Sequence, residues 1–116
     1  MLARNYLTSY QKGIFFEYLS ILLLFFKGYK LIYRRYYDSR AEIDLIVKKG
    51  NYLIFIEVKR RRQKYYLWDL IKTQERQRKR WLAERFCKRY QLLKFDRRFD
   101  IIFFSGFNFT HIKNAF

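Results

Sequence analysis

Apolar and polar residues alternate through the middle of the chain. Ile43, Leu45 and Val47 are separated by Asp44 and Ile46, and a second apolar run, Leu53 to Val58, follows Gly50-Asn51. A two-residue Gly-Asn between such runs predicts a hairpin, with strands over Glu42–Lys49 and Tyr52–Lys59. Upstream, Gln11–Lys27 is mostly apolar without alternation and stops at Gly28, as a helix closed by a C-terminal glycine does. Lys30–Tyr37 reads as a strand and Asp38-Ser39-Arg40 as a turn. From about Gln63 to Tyr90 the chain is dense in Lys, Arg, Gln and Glu and predicts a helix. Arg98–Phe104 is a short continuous apolar strand of the kind buried on both faces, and the tail Phe107–Phe116 has room for one more short strand. The expected fold is α/β, in the order α-β-β-β-α-β, with a mixed sheet flanked by helices. No linker or internal repeat divides residues 1–116, so one domain is expected.

The hairpin sets a register. If Lys49 closes on Tyr52, facing residues have numbers summing to 101. One face then carries Ile43, Leu45, Val47, Ile54, Ile56 and Val58 and must pack on a core. The other pairs Ile46 with Phe55, Asp44 with Glu57 and Glu42 with Lys59. Like charges directly opposite each other destabilise a sheet. A divalent cation between Asp44 and Glu57, or Lys59 on the same face, would relieve them. The plainer alternative is a solvated sheet edge.

Charge sharpens this. The 116 residues hold 26 Lys and Arg against 10 Asp and Glu, a net +16, which attracts a polyanion; nucleic acid is the commonest, and an anionic membrane surface competes. Cys87 and His111 are each the only residue of their type. A disulfide within the chain, a cysteine-based zinc site and a nucleophile–base–orienter set built on them are therefore excluded. Any metal must be held by carboxylates and backbone oxygens, which suit Mg²⁺ or Mn²⁺. The longest apolar run, Tyr18–Phe26, is short of the roughly 20 residues a membrane span needs. No membrane span, no signal peptide and a cytoplasmic setting are expected.

Three segments carry a resemblance: Glu42-Ile43-Asp44-Leu45-Ile46, Ile54-Phe55-Ile56-Glu57-Val58-Lys59 and Arg98-Phe99-Asp100-Ile101-Ile102. Together they resemble the YraN, or UPF0102, family of small bacterial proteins predicted to be endonucleases. That family is distantly similar to archaeal Holliday-junction resolvases within the PD-(D/E)XK nuclease superfamily. The resemblance implies a restriction-endonuclease-like core and a metal-dependent nuclease acting on DNA, including branched DNA. It implies Asp44 and Glu57 as metal-binding carboxylates, the Val58 carbonyl as a further ligand, and Lys59 as the residue that positions the attacking water. Glu17, in Gly13-x-x-x-Glu17, matches a helix-one glutamate that completes the metal site. The family also carries a basic or glutamine residue near the start of the second helix, where Gln74, Arg76 and Gln77 lie; Gln74 is the candidate. Glu42 would hold Lys59. Where the family has Gly before Glu-Ile-Asp, this chain has Ala41. Resolvase-like enzymes act as dimers on two-fold junctions, which implies a homodimer by analogy.

Ten Lys or Arg lie in Lys59–Arg80, opposed only by Asp69 and Glu75. Arg60, Arg61, Arg62, Lys72, Arg76, Arg78, Lys79 and Arg80 are therefore candidates for holding a nucleic-acid backbone that runs from the metal site. Tyr65, Tyr66 and Trp68 could stack on bases or simply pack. A non-catalytic nucleic-acid-binding protein on the same fold is the alternative to a nuclease, and a membrane-surface protein is a third.

Overall fold

A computed structural model of the chain describes residues 9–60 and 72–116. The elements are α1 (Ser9–Phe26), β1 (Lys30–Tyr37), β2 (Glu42–Lys49), β3 (Tyr52–Arg60), α2 (Thr73–Arg89), β4 (Asp96–Ser105) and β5 (Asn108–Ile112). The order runs one strand beyond α-β-β-β-α-β, because the tail folds back as β5. The five strands lie in one sheet in sequence order. β3 and β4 are parallel and the other neighbours antiparallel. A parallel pair needs a crossover, and the connection containing α2 supplies it.

The chain closes α1 at Gly28, whose φ of +90° suits a residue without a Cβ. Gly28 N–H donates to Phe25 C=O (3.0 Å) and Tyr29 N–H to Leu24 C=O (3.0 Å), which satisfies two carbonyls of the last turn. Leu24 and Tyr29 are both buried in one core. Among the described residues α2 begins at Thr73, after an extended Lys72 (φ −71°, ψ 155°); the part of the expected helix before it lies outside them. Helix-favouring residues on both sides of that point carry no start signal. Residues 61–71, with Arg61, Arg62, Tyr65, Tyr66 and Trp68, lie outside the described residues.

Each face of the sheet has its own core. Under α1 lie Leu45, Val47, Ile54, Ile56, Ile102 and Phe104, with Val58 packed against them. Under α2 lie Ile46, Leu53, Phe55, Phe99, Ile101 and Phe103, against Leu82, Ala83 and Phe86. The hairpin register is the expected one, from Lys49 opposite Tyr52 to Leu45 opposite Ile56. Ile43 departs from the expected face: it joins Ile46 in the core under α2. Tyr36, its partner on β1, packs there too, within 5.3 Å of Tyr33 three residues earlier. The two-residue alternation is thus interrupted in both strands at one level, between Tyr33 and Tyr36 and between Ile43 and Ile46. Arg35, at that level, has φ +60°, a conformation uncommon for a residue with a Cβ. The distortion falls at Asp44.

Away from that level, β4 carries a charge with no exposure. Asp100 is fully buried and accepts from Arg98 Nε (3.0 Å) and Nη2 (2.9 Å) and from Asn114 N–H (2.9 Å), with His111 Nε2 2.7 Å away. Burial alone would raise its pKa, but the bonds from His111, Arg98 and Asn114 outweigh this and hold it below the usual carboxylate range. A lowered folded-state pKa stabilises the fold above the unfolded value, and that stabilisation is lost as pH falls through the folded value. Thermal melts from pH 7 down to pH 2 should therefore show acid destabilisation that Asp100→Asn flattens. An unchanged pH dependence in the variant would contradict the assignment.

Candidate functional site

The end of β2 and β3 remote from the Gly50-Asn51 loop opens into a cavity of about 460 Å³. Gly13 and Glu17 of α1, Arg40 and Ala41 of the turn, Glu42 and Asp44 of β2, Glu57 to Arg60 of β3, and Glu75, Arg78 and Lys79 of α2 line it. The sheet splits here for a local reason. In the regular register the Val58 N–H would face β2 backbone at Ile43; instead it donates to Asp44 Oδ2 at 2.8 Å. A side chain has replaced a ladder acceptor, and the carboxylate is pinned between the diverging strands.

Asp44 and Glu57 meet just beyond the last ladder pair, Leu45 opposite Ile56. Burial, then hydrogen bonding to Glu57 and the charge of Glu57, push the Asp44 carboxyl well above the usual carboxylate range; the Val58 N–H pulls the other way. Glu57 is buried and balanced from α2: Lys79 Nζ lies 2.6 Å from Glu57 Oε2. Lys79 also donates to the Glu42 carbonyl. Glu17 is buried between two arginines, accepting from Arg34 Nη1 (3.0 Å) and lying 3.3 Å from Arg35 Nε. Burial disfavours the Arg35 charge, but Glu17, Glu42, Tyr10 and Asp44 together more than offset it and raise its pKa.

Four of the expected residues from the hairpin, Asp44, Glu57, Val58 and Lys59, share this cavity with Glu17 from α1. Lys59 is half-buried in its wall. Gln74 is exposed on the first turn of α2 and does not line the cavity. Arg60 and Arg78 do line it, with the Arg60 guanidinium 5.5 Å over the Phe16 ring. Lys72 is exposed ahead of α2, Arg76 is half-buried, and exposed Arg80 lies 4.9 Å over the Phe99 ring.

Lys79, one of the cations expected to hold a nucleic-acid backbone, is 5% exposed and reaches into the cavity. The signal was present in the sequence: Lys79 precedes the buried Leu82, Ala83 and Phe86 by three, four and seven residues. That spacing puts it on the core-facing stripe. Arg34 and Arg35, which hold Glu17, carried no sequence signal as site residues.

The donor set is hard. Asp44, Glu57 and the Val58 carbonyl suit a small divalent cation that keeps several waters. Among the described residues, no three His, Cys, Asp or Glu side chains come together in a way that could hold a metal ion. Five carboxylates line the cavity, Glu17, Glu42, Asp44, Glu57 and Glu75, of which Glu17 is engaged by its arginines and Glu57 by Lys79. Among the same residues, no helix is long and apolar enough to cross a membrane.

The model of UPF0102, an uncharacterised protein family, matches residues 16–104, a span running from just before Glu17 to the end of the β4 core. A UPF0102 protein of Acinetobacter baumannii (strain AYE) is 37% identical over 102 residues, covering 85% of this chain and 77% of its own. One from Legionella pneumophila (strain Corby) is 34% identical over 111 residues, and one from Sulfurihydrogenibium sp. (strain YO3AOP1) 32% over 117; each match covers 91% of this chain and 94% of the relative. On both the family match and these near full-length relatives, the chain belongs to the UPF0102 family.

Proposed function

We propose that this protein is a metal-dependent nuclease of the PD-(D/E)XK superfamily that hydrolyses phosphodiester bonds in DNA. One observation carries the reading: a single cavity collects Glu17, Asp44, Glu57, Val58 and Lys59 from three separate elements, in a chain of net charge +16. Bound Mg²⁺ or Mn²⁺ would lower the pKa of water and draw charge from the phosphate. The chain supplies the rest. Asp44, pinned by the Val58 N–H, and Glu57 present carboxylate oxygens from adjacent strands. Lys59, on the same wall, offers an ammonium to orient water or to offset charge on the phosphate. Arg40, Arg60 and Arg78 around the cavity draw in the backbone of the substrate.

A second reading, a non-catalytic nucleic-acid-binding protein, is favoured by Lys79. Its ammonium already neutralises Glu57, as a metal would. A cleavage panel of duplex, single-strand, flap and four-way-junction DNA, with Mg²⁺ or Mn²⁺, separates the two. Cleavage of at least one substrate is expected, abolished by EDTA and by Asp44→Ala. Binding without cleavage under either metal would establish the second reading instead.

A further inference from the structure

Phe107 stands at the tip of the β4–β5 turn, two-residue in length because Ser105 pairs with Asn108, and is 77% exposed. The backbone demand of the turn falls on Gly106, whose φ is +61°. Neither the turn nor either core requires a phenyl ring at the next position, where such loops favour small polar residues. The ring has neighbours, however. It lies 6.4 Å from Phe15, nearly perpendicular to it, and 6.0 Å from Phe16. Phe15 is itself 46% exposed. Phe16 carries the guanidinium of Arg60, which lines the cavity, and the same turns of α1 send Gly13 and Glu17 into it. Exposed aromatic faces therefore begin where the cationic rim of the cavity ends.

We infer that Phe107, with Phe15, is a stacking platform for an unpaired base beside the phosphate held in the cavity. The inference rests on the nuclease reading and gives it a substrate class: DNA with unpaired bases next to the cut, as in a flap or a single strand, rather than continuous duplex. The chemistry is specific to that class. A base has a π-face that stacks on phenyl rings, and its phosphate answers the adjacent arginines. In a continuous duplex those base faces are occupied by their neighbours.

The test measures binding in EDTA, so that it does not depend on cleavage. 2-Aminopurine is placed at the unpaired position of a flap oligonucleotide, with a fully paired duplex as control. Wild-type protein should change the fluorescence of the flap probe. Phe107→Ser should abolish that change and weaken flap binding at least about fivefold, leaving duplex affinity unaltered, and Phe107→Trp should restore both. If Phe107→Ser binds the flap as tightly as wild type, the platform is wrong and the nuclease reading stands. If wild type binds neither probe, both fail. Sedimentation showing that Phe107→Ser splits an oligomer, with flap binding unchanged, would overturn the platform in favour of a self-association surface.

Discussion

Lys59→Ala should reduce single-turnover cleavage by about 10²–10³-fold, the usual cost of losing one preorganised group at the reacting phosphate. Affinity for the same DNA should fall only slightly. Binding spreads over many phosphates, and Lys59 is one of 26 cations, so the log–log salt slope should change by roughly one unit at most. Lys59 lies in the cavity wall next to Glu57 and Val58, not on an outer surface, which is why its effect should appear in rate. Quench-flow cleavage at saturating protein, beside a salt titration of binding, checks both halves. Cleavage by Lys59→Ala at the wild-type rate would remove Lys59 from the chemistry.

The second large effect concerns Lys79. Breaking a buried ion pair by deleting one partner typically costs about 3–5 kcal/mol, because the other charge is left without compensation. Lys79 and Glu57 side chains are 6% and 8% exposed and 2.6 Å apart. Lys79→Met should therefore destabilise the metal-free protein by about that amount in urea denaturation. In Lys79→Met/Glu57→Gln the loss should be smaller than the sum of the two single losses, since the stranded carboxylate is gone. Mn²⁺ should recover more stability in Lys79→Met than in wild type, because Glu57 is then without its ammonium. A cost in Lys79→Met below about 1 kcal/mol would show that the pair is solvated after all.

Much of this architecture follows from local pattern. Gly50-Asn51 between alternating runs determined the hairpin, and the sum of 101 holds from Lys49 opposite Tyr52 to Leu45 opposite Ile56. Gly28 marked the end of α1 correctly. The Arg98–Phe104 run is a strand covered on both faces, as its unbroken hydrophobicity requires. These features depend on residues close in sequence, where turn geometry and side-chain period act directly.

What sequence alone did not determine depends on elements distant in sequence. Strict alternation placed Ile43 with Leu45, whereas packing of Tyr36 and Ile43 under α2 turned the end of β2 over. That turn, with Arg35 at φ +60° beside it, pins Asp44 on the Val58 N–H. Lys79 and Glu57 are 22 residues apart along the chain, and only the crossover through α2 brings them to 2.6 Å. Glu17 likewise meets Arg34 and Arg35 only because α1 folds back along β1. Charge counting could show that cations were in excess. Which of them face solvent and which are buried against carboxylates was decided by tertiary packing, because desolvation forces each buried charge to take a partner wherever the fold offers one.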